Sequence, residues 1–200
     1  MIDFEDITYL KTGSEIQKKT YQVLTEHSIL KQLNAYDPVL AGTIPLDMAI
    51  EDSDLDIICY WEDKETFIRN LKDCFGNYPG FLLKTKTISG SDTVLARFDA
   101  DGFKIEVFGQ DIPVCEQAAY IHMIAEDSLL QERGKIFRQR ILDLKRKGHK
   151  TEPAFGMLLG IQTDPYAELL VYGREVLKKR KCALKSAKRV PGGDRGELNI

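Results

Sequence analysis

The amino-acid sequence predicts an α/β fold of the α+β kind, in which a mixed β-sheet with its own helices is followed by a helical C-terminal part. Three β-rich runs, at residues 81–88, 93–98 and 103–108, indicate the sheet. The last two are joined by Asp101-Gly102, a dipeptide typical of two-residue hairpin turns. After Pro113 the pattern is helical for most of the remaining sequence, which predicts the second part.

The N-terminal segments are predicted to supply further helices and strands to the same lobe. Ser14 stands before an apolar helical stripe and is expected to begin a helix, and residues 28–33 continue as a shorter helical segment. Segments 37–43 and 54–60 are predicted strands. Asp63 is expected to cap a helix whose apolar residues recur at helical spacing.

The chain divides into three predicted regions. Residues 1–112 form the α/β lobe and residues 113–180 form the helical lobe. Residues 181–200 form a polar tail that is expected to be flexible, because it has little apolar surface to bury. Breaks within the helical lobe are expected at Arg133-Gly134, at 147–153 and at Asp164-Pro165.

The composition is that of a globular protein and argues against several functional classes. Hydrophobic residues make up 43% of the chain and charged residues 30%. The net charge of −3 gives no global attraction to nucleic acid or to anionic membranes, so neither is an expected partner. No segment reaches membrane length or resembles a secretion signal. The four cysteines are scattered, so a reducing cytoplasm is the expected location.

Acidic residues are concentrated at the start of the second predicted strand. Asp54 and Asp56 are two positions apart, so on a strand their side chains point to one face while the alternating apolar residues point into the core. Buried carboxylates are costly unless a cation or hydrogen-bond donors meet them. Two carboxylates on one face suit Mg²⁺, which takes oxygen ligands and bridges carboxylates to phosphates. Glu106 completes a three-acid cluster if its strand runs beside the first.

These acids belong to a longer pattern that resembles a known family. Gly42-Thr43 stands at the end of the predicted strand 37–43. Ser53-Asp54-Leu55-Asp56-Ile57 comes after a short interval, and Glu106 lies on a later strand. The spacing resembles the nucleotidyltransferase fold shared by DNA polymerase β-like enzymes and antibiotic-modifying adenylyltransferases. Nearly the whole chain also resembles a bacterial group of uncharacterised nucleotidyltransferase-like proteins, a domain of unknown function. The stretches that carry this second resemblance are 41–45, 53–59, 105–110 and 150–155.

The resemblance implies a metal-dependent transfer of a nucleoside monophosphate from an NTP, with ATP as the expected nucleotide, to an unknown hydroxyl acceptor. Asp54 and Asp56 would hold the Mg²⁺ or Mn²⁺ ions that bind the triphosphate. Glu106 would be the third metal ligand and would help to deprotonate the attacking hydroxyl. All three are therefore the expected catalytic and metal-binding residues.

The expected nucleotide-binding residues are Gly42, Thr43 and Ser53. Gly42 would let its backbone approach the phosphates, and Thr43 would offer a hydroxyl and an amide. The following residues depart from the family pattern. Pro45 has no N–H to donate, and Asp47 would repel phosphate unless its side chain turns away.

Other charged residues are assigned ordinary roles, with one exception. Lys150 and Glu152 lie before Pro153 in a predicted loop and are expected to line a cleft between the lobes. His122 is interpreted as a half-buried helical side chain. The basic residues on one probable helix are interpreted mostly as a solvated face: Arg138, Arg140, Lys145, Arg146 and Lys147.

Two alternatives to the enzyme hypothesis stay open. In the second hypothesis, the chain is a fold relative that has lost or changed the activity and binds a nucleotide or a protein partner. The altered loop after Gly42 favours this hypothesis. A third hypothesis, nucleic-acid binding through the basic C-terminus, rests on composition alone.

Overall fold

The computed structural model describes residues 2–51, 53–88 and 90–187, with side chains as far as residue 180 in the last helix. The predicted flexible tail, residues 181–200, therefore lies outside the described side chains and, from residue 188, outside the described residues.

A five-stranded mixed sheet forms the centre of the molecule. The strands lie in the order β1-β2-β5-β4-β3, and only the β2–β5 pair is parallel. The predicted fold class is confirmed, and so is the hairpin turn at Asp101-Gly102, which joins β4 to β5. The strand bounds are β1 (Val39–Ala41), β2 (Leu55–Tyr60), β3 (Leu82–Ile88), β4 (Ser91–Ala100) and β5 (Phe103–Gln110).

Six α-helices accompany the sheet in the described part of the chain, and none of them is long and apolar enough to cross a membrane. Asp63 accepts a hydrogen bond from Thr66 N at 2.7 Å and so caps α3 as predicted. The predicted break at Gly134 is a kink inside α4, where φ is 74° and ψ is −165°. The helix bounds are α1 (Glu15–Glu26), α2 (Ile29–Gln32), α3 (Lys64–Phe75), α4 (Ala118–Arg146), α5 (Thr151–Leu159) and α6 (Pro165–Ala187).

Strand alternation gives the sheet two different faces. Leu55 and Ile57 of β2 point to the same side as Ile105 and Val107 of β5, and all four are buried against α1 and α3. The residues between them, including Asp56 and Glu106, therefore point to the opposite face.

The opposite face of the sheet carries a second apolar cluster shared with the C-terminal helices. Ala41 and Ile58 pack there with Met123 of α4, Phe155 of α5 and Leu169 of α6. Next to this packing lies a cavity over the part of the sheet that bears the acidic residues, and Ala41, Ile58 and Met123 line it as well.

The loop that follows β1, residues 42–48, is held from both sides. From α1, Gln17 Nε2 donates to Ile44 O at 2.8 Å. From α4, Lys145 Nζ donates to Met48 O at 2.6 Å, and Arg138 donates to Leu46 O. Its backbone carbonyls are thus bound by side chains from the sheet lobe and from the helical part.

Lys145 corrects one sequence prediction. Lys145 belongs to a basic run that the sequence pattern indicates to be mostly a solvated helix face, but the residue is only 6% exposed. Because α4 changes direction at Gly134, its second half lies against the 42–48 loop instead of running on into solvent. The sequence predicts a break at Gly134, but it does not predict that the segment after the break packs against the 42–48 loop.

Replacing Gln17 with alanine is expected to lower the free energy of unfolding by about 1–3 kcal/mol, because buried carbonyl groups of the loop then lose their hydrogen-bond donor. The side chain is 5% exposed, and its Oε1 also accepts from Ser14 N at 3.1 Å. Urea denaturation measures the change. Lys18→Ala, one position along and exposed, is the control and should change stability by less than about 0.5 kcal/mol. Equal effects of the two substitutions would contradict the bracing role.

Candidate active site

A cavity of about 610 Å³ lies between the acid-bearing face of the sheet and the C-terminal helices. Its floor includes Gly42, Thr43, Asp56 and Glu106 from the sheet lobe. Its wall is formed by side chains of α4, α5 and α6. A cavity of this size suits a small-molecule ligand.

Asp56 and Glu106 stand side by side at the floor of this cavity. They are direct partners in the register of the parallel β2–β5 pair, and neighbouring strands lie about 4.8 Å apart. Arg97, the partner of Glu106 on β4, donates from Nε to Glu106 Oε2 at 2.5 Å. The Arg97 side chain is 58% exposed and that of Glu106 is 21% exposed, so the pair lies at the edge of the cavity.

The environment of Asp56 favours its protonated form. Burial is the largest cause, and the negative charges of Glu106 and Asp54 add to it. The positive charges of Arg97 and Lys145 act in the opposite direction. The net effect raises the pKa of Asp56 to about 7. A divalent cation between Asp56 and Glu106 would relieve this repulsion.

Gly42 brings the backbone directly against the Asp56 carboxylate. Its φ is +73°, and a Cβ placed on it would collide with Asp56 Oδ2. Both observations require glycine at this position. Gly42 and Thr43 line the same cavity as Asp56 and Glu106, so the structure brings these four predicted site residues together.

Asp54 and Ser53 are located differently. The strand β2 begins at Leu55, one residue later than predicted, so Asp54 lies in the preceding segment with an exposed side chain. It borders a second cavity of about 400 Å³, which Ser53 also lines. The Ser53 hydroxyl accepts from Ile50 N at 2.8 Å and closes a local turn.

The predicted three-carboxylate metal site is therefore not assembled as expected. Within residues 2–51, 53–88 and 90–187, no three His, Cys, Asp or Glu side chains form a group that would hold a metal ion. Asp56 and Glu106 alone offer two hard oxygen donors on neighbouring strands, beside a backbone that approaches closely. That donor set fits one Mg²⁺ or Mn²⁺ that completes its shell with water and phosphate oxygens.

The remaining sequence-predicted residues are divided between the cavity and the surface. Glu152, in the first turn of α5, lines the cavity, whereas Lys150 is the exposed N-cap residue of that helix. Asp47 is exposed in a left-handed conformation with φ of 54°. Its carboxylate is not part of the cavity lining, which removes the expected repulsion of phosphate.

His122 forms part of the cavity wall, a position that the sequence pattern does not indicate. Its Nδ1 lies 3.4 Å from Glu152 Oε1, and its Nε2 lies 3.0 Å from Tyr166 O. Burial by itself lowers the pKa of His122, but these two hydrogen bonds outweigh burial and the net pKa is raised. For Glu152 burial raises the pKa, but the hydrogen bond from His122 and neighbouring charges leave it lowered. The two side chains therefore favour an imidazolium–carboxylate pair.

Glu126 and Lys145 are two further buried ionisable groups near the cavity, and the sequence pattern assigns neither of them to a site. Burial, and then the charge of Glu152, raise the pKa of Glu126 well above its ordinary value. Burial lowers the pKa of Lys145 to about 8, although the charges of Glu126, Glu152 and Asp56 oppose this. His122 and Glu126 are four residues apart on one helix, and this spacing is the sequence signal that they share a helix face.

Comparison with known proteins identifies the family. Residues 22–172 match a family described as a domain of unknown function (DUF4269). The chain belongs to this family. No curated protein matches the sequence.

Solved structures with a similar course of the chain include two RNA-modifying enzymes. One is the Cid1 poly(U) polymerase bound to MgGTP, with 14% identity, a TM-score of 0.48, and coverage of 64% of this chain and 41% of that chain. The other is a cytoplasmic RNA terminal U-transferase, with 14% identity, a TM-score of 0.45, and coverage of 66% and 39% respectively. The chain thus spans less than half the length of these structures.

Replacing Asp56 with asparagine is expected to stabilise the metal-free protein at pH 8 but not at pH 3.5. The folded-state pKa of Asp56, about 7, lies above the unfolded value, so its contribution is present at low pH and is lost as pH rises toward 7. The difference between variant and wild type should grow over that range to about 4 kcal/mol at most.

Urea denaturation in the presence of EDTA at several pH values measures this difference. Asp73→Asn on α3, on the other side of the sheet, is the control and should stay within about 0.5 kcal/mol of wild type. A difference for Asp56→Asn that is independent of pH would show that neither burial nor the neighbouring acids disfavour the ionised Asp56 carboxylate.

Proposed function

We propose that the protein is a metal-dependent nucleotidyltransferase that moves a nucleoside monophosphate from an NTP, with ATP as the expected donor, to a hydroxyl group of an acceptor. The observation that carries the proposal is the pair of carboxylates at the cavity floor. Asp56 and Glu106 are in register on adjacent strands, and the backbone of Gly42 lies against the first of them. The resemblance of the sequence pattern to the nucleotidyltransferase fold supports the same assignment.

Asp56 and Glu106 would hold the cation, which we expect to be Mg²⁺ or Mn²⁺. When bound, the metal neutralises charge on the phosphates and stabilises the departing pyrophosphate. The N–H groups and the hydroxyl at Gly42-Thr43 would orient the triphosphate along the floor. The loop that carries them is fixed by Gln17 and Lys145, so the donors are held in place before the nucleotide binds.

The transfer itself joins the acceptor oxygen to the α-phosphorus and breaks the bond between that phosphorus and the oxygen that bridges to the β-phosphorus. Pyrophosphate leaves, and the proton of the attacking hydroxyl goes to the carboxylate of Glu106 and then to water. Arg97 orients that carboxylate through its hydrogen bond to Oε2, which leaves Oε1 for the cation and the acceptor hydroxyl.

A second candidate function is nucleotide binding without transfer. It is favoured by the location of Asp54, which borders the neighbouring cavity instead of the floor. It is also favoured by the loop after Gly42, where Ile44 is fully buried and Pro45 offers no N–H.

Thermal-shift titration with each of the four NTPs, with and without Mn²⁺, tests the proposal. Wild type should be stabilised by metal and more by metal with NTP, since a ligand at a hundred times its Kd contributes about 2.7 kcal/mol. Asp56→Asn should abolish that response. Asp54→Asn should keep more of it than Asp56→Asn, because its side chain lies outside the cavity.

Pyrophosphate release separates the two candidate functions. Glu106→Gln should keep nucleotide binding better than it keeps release, because its role is nearer the attacking hydroxyl. Binding without release for wild type, across a panel of hydroxyl acceptors, would favour the second candidate. Identical responses of wild type and Asp56→Asn would contradict both.

A further inference from the structure

Glu126, on the wall of the cavity opposite the sheet, is a buried carboxyl group without a partner. Its side chain is 4% exposed and lines the cavity, and it forms no hydrogen bond or ion pair with any residue that the structure describes. The next residue on α4 differs. Asp127, also 4% exposed, is bound by Arg180 Nη2 at 2.8 Å and lies outside the cavity. Buried carboxyl groups are normally paired, so the open position beside Glu126 needs an explanation.

The nearest basic groups are already engaged elsewhere. Lys145 lowers the pKa of Glu126 by its charge, but its ammonium donates to Met48 O and is not within ion-pair distance of the carboxyl group. His122, one turn before Glu126, is bound to Glu152 and to Tyr166 O. Glu152 is therefore compensated by His122, and Glu126 is the acid that remains.

The cavity as a whole has an excess of acidic groups. Two basic side chains line it, Arg174 and His122. Its acidic lining residues are Asp56, Glu106, Glu116, Glu126 and Glu152. A cation at the floor would serve Asp56 and Glu106, whereas Glu126 belongs to the helix that forms the opposite wall. A ligand cation at that wall would stabilise the ionised form of Glu126, which burial otherwise disfavours.

We propose that the helical wall of the cavity binds a protonated amine of the acceptor through Glu126, so that the acceptor is an amino alcohol or an amino sugar. Apolar side chains of the same cavity lining, among them Ile121 and Leu170, would pack against the carbon skeleton. The hydroxyl of the same molecule would then point across the cavity toward Asp56 and Glu106. This assignment of the acceptor rests on the proposed function.

Specificity follows from the cost of leaving Glu126 unpaired. A ligand ammonium donates a charge-assisted hydrogen bond to the carboxylate, and such bonds are among the strongest available to a small ligand. A neutral ligand of the same shape fills the cavity but leaves the carboxyl group without that bond. Sites built around a buried polar group discriminate strongly against ligands that lack the matching group.

The test compares two probes that differ in one group, 2-amino-1-phenylethanol and 1-phenyl-1,2-ethanediol. Binding to the full-length protein is measured by NMR titration at neutral pH without nucleotide or metal. Wild type should bind the ammonium probe about tenfold more tightly than the diol. Glu126→Gln, which keeps the shape and removes the charge, should bind the two probes equally. Glu132→Gln, an exposed position on the same helix, should keep the wild-type preference.

The amino sugar glucosamine and its neutral counterpart glucose form a second pair with the same expected order. Equal binding of ammonium and neutral probes by wild type, or no binding of either pair, would overturn the inference. A preference that survives in Glu126→Gln would overturn it as well. Wild-type preference is measurable without any variant, so a misfolded Glu126→Gln leaves the test intact.

The outcome is independent of nucleotidyl transfer. Ammonium preference without any turnover would retain the amine site and contradict the enzyme proposal. Turnover of neutral hydroxyl acceptors without ammonium preference would retain the enzyme proposal and contradict the amine site.

Discussion

The repulsion between two carboxylates on neighbouring strands is the constraint on which the rest of the cavity depends. Parallel pairing of β2 with β5 places Asp56 beside Glu106, and the register fixes both side chains on the same face of the sheet. Such a pair raises the free energy of the fold unless positive charge is supplied. The chain supplies part of it through Arg97, which binds Glu106, and through the charge of Lys145 near Asp56.

Lys145 links this constraint to the helical wall. Its ammonium holds the carbonyl of Met48, at the end of the loop that begins with Gly42. Its charge also acts on Asp56, Glu126 and Glu152, so one buried cation influences carboxylates on both walls of the cavity. Because the same loop is held on its other side by Gln17, the floor and the wall are joined through backbone hydrogen bonds. We expect such a site to be largely formed before any ligand enters.

Much of the sheet was predictable because its signals are local. The hairpin at Asp101-Gly102 and the alternation around Asp56 and Glu106 depend only on neighbouring residues. Alternation places each acid opposite the apolar residues of its own strand. The parallel pairing of β2 with β5, which brings the two acids together, is a long-range contact that these local signals do not contain. Alternation alone does not give the exposure of Asp54, which lies just before β2 with an exposed side chain.

The helical wall was not predictable in the same way. Lys145 looks like one member of a basic run, and its burial depends on a kink at Gly134 and on a contact with Met48, 97 residues away. His122 and Glu126 look like ordinary helical residues until α5 brings Glu152 against the first of them. Cross-strand pairing of Arg97 with Glu106 differs, because the two-residue turn at Asp101-Gly102 fixes the register of β4 with β5 and so already implies this pair.

The most direct test of the carboxylate pair is a ¹³C NMR titration of the Asp56 carboxyl group in wild type, in Glu106→Gln and in wild type with saturating Mg²⁺. In metal-free wild type we expect the pKa of Asp56 to be about 7. We expect this pKa to decrease clearly when Glu106 is neutralised or when Mg²⁺ is added. An Asp56 pKa close to that of an ordinary aspartate, unchanged by Mg²⁺ and by Glu106→Gln, would contradict a cation site formed by these two residues.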